Sequence, residues 1–72
     1  MKIAVFGNSF LKEKAPQAGQ ILSKLQSLGV KLLIDDTYFH FLNENGGMIE
    51  EPESLIMDEH FSADIALSLG GD

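Results

Sequence analysis

A pair of glycines followed by a carboxylate stands after a short apolar segment of the chain. The segment is ADIALSL, residues 63–69, and the residues that follow it are Gly70, Gly71 and Asp72. Residues without Cβ atoms can adopt positive φ, and their N–H groups can come close to an anion. A carboxylate beside that anion could accept a proton from a hydroxyl nucleophile or help to hold magnesium. The pattern suits phosphoryl transfer, which depends on positioning and charge stabilisation, although Gly-Gly-Asp also occurs in ordinary turns.

A second candidate follows the first apolar run of the chain, where Gly7 is succeeded by Asn8 and Ser9. Neither G-x-G-x-x-G nor G-x-x-x-x-G-K-[ST] occurs there, so the common nucleotide fingerprints are absent. These residues could form a plain turn. Alternatively, Asn8 and Ser9 could contact a ligand while Lys12 or Lys14 reaches a phosphate.

The remaining titratable residues indicate structural roles. Asp35 or Asp36 is placed to cap a helix, and an acidic pocket of the receiver type is disfavoured because the first strand ends in Gly-Asn. His40 and His60 are twenty residues apart and share no metal-ligand spacing. The acids between residues 50 and 59 lack the pattern of a calcium loop, which favours a solvated loop.

The composition limits the chain to one small domain. It has 72 residues, 44% of them hydrophobic, and no cysteine. A zinc–thiolate site is therefore excluded, and the core must form without disulfides. The formal net charge of −6 repels phosphate backbones and anionic lipids. We therefore expect no nucleic-acid partner and no membrane partner.

The start of the chain gives no sign of export. Only Ile3 to Phe6 form an apolar run before Gly7, whereas a secretory segment needs roughly 7–15 apolar residues and a membrane span needs about 20. We expect a cytoplasmic protein.

Strands and helices are predicted to alternate. Residues 2–7 (KIAVFG) and 30–35 (VKLLID) are apolar runs typical of strands buried on both faces. Residues 63–70 alternate between large apolar and small side chains, which indicates a third strand. A short helix is predicted over 37–45, and residues 46–60 are interpreted as a loop with one helical turn around Ser54 to Met57.

The most regular pattern predicts a helix between the first two strands. Pro16 fits its first turn and Gly29 its end. Its apolar stripe consists of Ala18, Ile21, Leu22, Leu25 and Leu28.

The order of these elements predicts an α/β fold, a three-layer Rossmann-like parallel sheet that is partial in this chain. Ligands of such sheets bind beyond the carboxyl ends of the strands. All the candidate positions above except the histidines and the acidic loop follow a predicted strand.

The whole chain resembles the amino-terminal part of the bacterial NAD kinases (ATP/polyphosphate-NAD kinases), ending inside their G-G-D-G motif. MKIAVFGN resembles the opening strand of the family, VKLLIDDTYFHFL its second strand and following helix, and ADIALSLGGD the approach to its G-G-D-G-T signature. Diacylglycerol kinases and phosphofructokinases share a similar G-G-D-G element. The preceding A-D-x-x-x-S-L and the opening strand favour NAD kinase, with a flavodoxin/phosphofructokinase-like sheet.

The resemblance implies a kinase that transfers the terminal phosphate of ATP or polyphosphate to the 2′-hydroxyl of the adenosine ribose of NAD, which makes NADP. Asp72 is then the catalytic residue that accepts the proton of that hydroxyl. Gly70 and Gly71 form the phosphate-side turn, and the three residues together bind NAD or phosphate. The resemblance also implies a divalent cation such as Mg²⁺, with no metal ligand assigned in this chain, and a homo-oligomer at full length.

Residues 1–72 would be the amino-terminal part of a nucleotide-binding α/β domain. The rest of the signature, the later N-E motif and the β-rich carboxyl-terminal domain that binds most of the NAD are absent from this chain. We therefore expect residues 1–72 alone to be inactive.

Two other functions stay open at this point. The chain could be a non-catalytic binding module, flavodoxin-like or receiver-like, in which Gly70 and Gly71 form a mere turn. It could also belong to a lipid or sugar kinase that shares the G-G-D-G signature.

Overall fold

The computed structural model describes residues 1–10 and 12–69, which fold as strands alternating with helices. The elements are β1 (Lys2–Gly7), a 3₁₀ helix (Lys12–Lys14), α1 (Ala15–Ser27), β2 (Lys31–Asp35), α2 (Asp36–Glu44), β3 (Ser54–Ile56) and β4 (Ile65–Leu69). Strands 1 and 2 and both helices lie within one or two residues of their predicted bounds.

The four strands form one parallel sheet in the order β3-β2-β1-β4. This confirms the predicted α/β, Rossmann-like arrangement. The chain moves outward from β1 to β2 to β3 and then returns to place β4 on the free side of β1. The direction of winding therefore reverses between β1 and β4, which is the topological switch point of the sheet.

The core lies between the sheet and the two helices. Ile3 and Val5 of β1 and Leu32 and Ile34 of β2 are buried in it together with residues of α1 and α2. Both helices cover the same face, because two right-handed crossovers that proceed in one direction across a sheet must do so.

The opposite face of the sheet is only thinly covered by the described residues. Ala4, Leu33 and Ile56 form a small buried cluster there, and the ring of Phe6 contacts that of Phe61 at a centroid distance of 5.8 Å. The described residues thus form two of the three expected layers.

Strand β4 confirms the predicted alternation at Leu67 and Leu69, whereas Ile65, predicted on the same face, is 49% exposed. Leu67 and Leu69 pack against the core on the helix side, whereas Ala66 and Ser68 belong to the opposite face and are exposed. The small side chains at these two positions predict one close-packed face of the strand, but nothing in the described part of the chain covers that face.

Helix α1 is rotated relative to its predicted stripe. Ala15, Ala18 and Leu22 are buried, but Ile21 is 49% exposed and Leu28 is 67% exposed. The prediction that these last two lie in the core is wrong. The side of the helix that carries small residues packs closely against its neighbours. Because that side faces the core, the side chains of Ile21 and Leu28 point outward.

The close approach is made by two glycines. A Cβ atom on Gly19 of α1 would lie 2.7 Å from the backbone of Gly47, and a Cβ on Gly47 would collide with the carbonyl of Ala15. Gly47 also donates its N–H to the Leu42 carbonyl at 2.7 Å. The backbone that follows α2 therefore packs directly on α1.

This contact reverses the usual effect of replacing a helical glycine. Alanine in place of glycine normally stabilises a helix by about 0.5–1 kcal/mol. We expect Gly19→Ala to lower the free energy of unfolding by about 1–3 kcal/mol instead, because backbone must move to accept the methyl group. Chemical denaturation measures the change. Gln20→Ala, at the exposed neighbouring position, should stay within about 0.5 kcal/mol of wild type, and a stabilised Gly19→Ala variant would contradict the packing.

Helix α2 begins and ends as predicted. Asp35 is its N-cap residue and accepts a hydrogen bond from the Tyr38 N–H at 3.0 Å, so the capping interpretation is confirmed. Asn45 is its C-cap residue, and Gly46 follows with φ of +84°. Tyr38, Phe41 and Leu42 are its buried residues.

Strand β3 corrects the prediction of a helical turn around Ser54 to Met57. Ser54–Ile56 instead pairs in parallel with β2, and Glu53 donates to the Leu32 carbonyl at 2.8 Å. Three residues with one buried side chain, Ile56, carry too little alternation to be read as a strand. The backbone partners that β2 offers decide their conformation.

Candidate functional site at the sheet switch point

The carboxyl ends of β1 and β4 lie side by side. Gly7 pairs with Leu69 in the parallel ladder, and the Asn8 N–H donates to the Leu69 carbonyl at 3.2 Å. Open parallel sheets bind ligands beyond the strand ends where the winding reverses. The candidate site is therefore the crevice at this end of the sheet.

A cavity of about 160 Å³ opens at the same place. It is enclosed by the two strand ends, the start of α1 and the inner side of α2, and its lining residues are Asn8, Lys14, Ala15, Gln17, Ala18, Ile21, Tyr38, Phe41 and Leu69. We call this space the switch-point cavity. Among the described residues that line it, Lys14 is the one that carries a charge.

Asn8 is held in place by its own turn. Its Oδ1 accepts the Phe10 N–H at 2.8 Å, a turn of the kind that asparagine favours. The Nδ2 donors of Asn8 make no hydrogen bond to another described residue. The loop after β1 thus presents an amide donor at the cavity.

Tyr38 closes the cavity from α2. Its side chain is 3% exposed, and its ring packs directly on Gly7, where a Cβ atom would collide with the hydroxyl-bearing carbon. Glycine is therefore required at the end of β1 to accept the ring. Burial raises the pKa of the Tyr38 hydroxyl above its usual value of 10.0, so this group remains a neutral donor over the physiological range.

The sequence predicts a helix over 37–45 that includes Tyr38 but does not connect this residue with the site. Its contact with Gly7 depends on the angle at which α2 crosses the sheet. No local sequence signal reports that angle.

The predicted catalytic and phosphate-binding residues lie outside the described residues. They are Gly70, Gly71 and Asp72. They follow Leu69 directly in the sequence, and Leu69 lines the switch-point cavity. Their catalytic and phosphate-binding roles stay predictions.

The structure separates the other residues considered for this loop. Lys14 and Asn8 line the switch-point cavity, whereas Ser9 and Lys12 line a different opening beside Asp36. The expectation that Asn8 and Ser9 act together is therefore not supported by their placement.

The histidines lie at the surface of the described chain. The side chain of His40 is 62% exposed, and its Nε2 lies 3.2 Å from Asp36 Oδ1 on the same helix. His60 is exposed, and its N–H donates to Asp58 Oδ1 at 2.7 Å. Neither contributes to the switch-point cavity.

The described residues hold no cluster of three or more potential metal ligands. Within 1–10 and 12–69, no three His, Cys, Asp or Glu side chains come together as metal ligands. The acids of the loop between α2 and β4 are exposed, which agrees with a solvated loop; they are Glu50, Glu51, Glu53, Asp58 and Glu59.

Neither α-helix of the described chain could cross a membrane, because both are too short and too polar for a span.

Comparison with known proteins gives two relatives. The chain is 28% identical over 72 residues to "NAD kinase" from each of two strains of Bacteroides fragilis, and the match covers 100% of this chain. The resemblance to NAD kinases is confirmed. The chain spans 25% of the length of these curated relatives. No protein-family model matches it, and no solved structure matches it significantly.

The match to NAD kinase includes the sequence that follows β1 and the sequence that follows β4. Because it extends over the whole chain, it takes in the loop after β1 as well as residues 70–72. The parallel sheet and its switch point thus occur in a chain that is similar to NAD kinase over all of its 72 residues.

Proposed function

We propose that this chain is the amino-terminal part of an NAD kinase, which transfers the terminal phosphate of ATP or polyphosphate to the 2′-hydroxyl of the adenosine ribose of NAD. The observation that carries the proposal is the match to NAD kinases over all 72 residues. A switch-point crevice at the carboxyl ends of parallel strands is a suitable place for a nucleotide.

In this proposal the residues after β4 carry the chemistry. The Asp72 carboxylate takes the proton from the ribose 2′-hydroxyl, and the oxygen forms a bond to the terminal phosphorus. The bond from that phosphorus to its bridging oxygen breaks, and ADP or a shortened polyphosphate leaves. The N–H groups of Gly70 and Gly71 hold the phosphate oxygens, which stabilises their charge.

The remainder of the proposed enzyme lies beyond this chain. Residues 1–72 would form the amino-terminal part of its nucleotide-binding domain, and a β-rich carboxyl-terminal domain would hold most of the NAD. The intact enzyme would be a cytoplasmic homo-oligomer that uses Mg²⁺. The described residues offer no cluster of metal ligands, so we assign none of them to the cation.

The proposal is tested with the purified full-length protein. With ATP, Mg²⁺ and NAD we expect NADP to form, as measured by coupling to an NADP-specific dehydrogenase. Diacylglycerol and sugars serve as alternative acceptors in the same assay, with ADP release as the readout. Phosphorylation of one of these, without NADP formation, would assign the protein to a different kinase class. If none of the acceptors leads to release of ADP, the result would favour a non-catalytic module.

A further inference from the structure

We propose that Lys14 and Asn8 bind the phosphate chain of the phosphoryl donor in the switch-point cavity. The inference rests on the proposed kinase function and names residues for the donor that the Gly-Gly-Asp element does not include. The ligand group is a polyphosphate chain, whether it belongs to ATP or to inorganic polyphosphate.

The charge around the cavity favours an anion. The whole chain carries a net charge of −6, yet the described residues that line this cavity include one lysine and no carboxylate. Glu13 precedes Lys14 in the sequence but does not line the cavity. A concave space lined by a positively charged side chain attracts anions from solution.

The neutral donors point the same way. Asn8 has its Oδ1 engaged with the Phe10 N–H, so its Nδ2 is the group left for a ligand. Tyr38 is 3% exposed, and its side chain also lines the cavity. A phosphate oxygen would provide acceptors for both groups.

The start of α1 adds to this arrangement. No side chain caps it and its first turn contains no acidic residue, so the positive end of the helix dipole favours an anion there, although Glu13 of the preceding 3₁₀ helix is close to it in the sequence. Lys14 is the residue at that end.

Lys12 is not an equivalent choice. The opening that it lines also contains Asp36 and Glu44, and both carboxylates would repel a phosphate chain. The structure thus decides between the two lysines that the sequence offered.

Steady-state kinetics of the full-length protein test the inference. We expect Lys14→Gln to raise the KM for ATP at least about tenfold, since a charge-assisted contact is lost. The KM for NAD should stay within about twofold of wild type. With inorganic polyphosphate as donor its KM should rise as well, because the contact is to phosphate. Lys14→Arg should retain most of the affinity.

Two variants control for indirect effects. Lys24→Gln removes an exposed lysine from the other end of the same helix and should leave both KM values unchanged. Asn8→Asp keeps the acceptor for the Phe10 N–H but adds a negative charge. It should therefore weaken binding of the phosphoryl donor and raise the KM for ATP, as Lys14→Gln does. An unchanged KM for ATP in Lys14→Gln, or a rise confined to NAD, would overturn the inference.

Binding of inorganic tripolyphosphate separates this inference from the proposed function. If the full-length protein binds it in calorimetry and Lys14→Gln weakens binding about tenfold, the anion site stands even where no NADP forms. Absent binding to wild type, or equal binding to both proteins, would refute the site, whereas absent NADP formation alone would refute only the kinase.

Discussion

Replacing Asp72 by asparagine is expected to lower the turnover of the proposed full-length kinase at least about 100-fold. Loss of a positioned general base costs roughly 10²–10⁴-fold, and asparagine keeps the size of the side chain while removing its basicity. The KM for NAD should change much less than kcat, because proton removal develops in the transition state. Initial rates of NADP formation with both substrates saturating measure the effect.

A second aspartate, which directly precedes β4, provides the matched control. Asp64 precedes the strand at its amino end, where its Oδ2 accepts the Lys2 N–H at 2.8 Å. Asn can replace it with retention of that acceptor, and Asp64→Asn should keep turnover within about twofold. Near-wild-type turnover of Asp72→Asn would remove Asp72 from the mechanism, and a comparable loss in both variants would show that the effect is structural.

The elements that could be predicted from the sequence are those that their own residues determine. Strand β1 is a continuous apolar run, and α2 has Asp35 before it and Asn45-Gly46 after it. The angular position of α1 could not be predicted, because it depends on the contact of Gly19 with Gly47, residues 28 positions apart. Strand β3 depends on its hydrogen-bonding partner β2 in the same way.

The site could be located from the sequence only in part. The rule that ligands bind at the carboxyl ends of parallel strands selected the loop after Gly7 and the residues after Leu69. The strand order then placed the carboxyl ends of β1 and β4 side by side, which no local pattern could show. The structure also shows that Lys14, and not Lys12, lines the switch-point cavity. It adds Tyr38, whose ring covers Gly7.

Residues 1–72 alone are expected to form no measurable NADP from ATP and NAD. Two-substrate transfer requires groups from several loops that fix both reactants, and such orientation is worth roughly 7–11 kcal/mol. The described residues contribute one charged side chain to the switch-point cavity and no cluster of metal ligands. Ala66 and Ser68 on the other face of the sheet have no cover from the described chain.

The fragment and the full-length protein should be assayed side by side at equal molar concentration. Far-UV circular dichroism of the fragment, with its helical signal lost cooperatively on heating, would show that inactivity does not come from unfolding. Sustained NADP formation that scales with fragment concentration and disappears in the Asp72→Asn fragment would contradict the prediction. It would mean that the switch-point crevice, with the residues that follow Leu69, orients both substrates without the domain proposed to bind NAD.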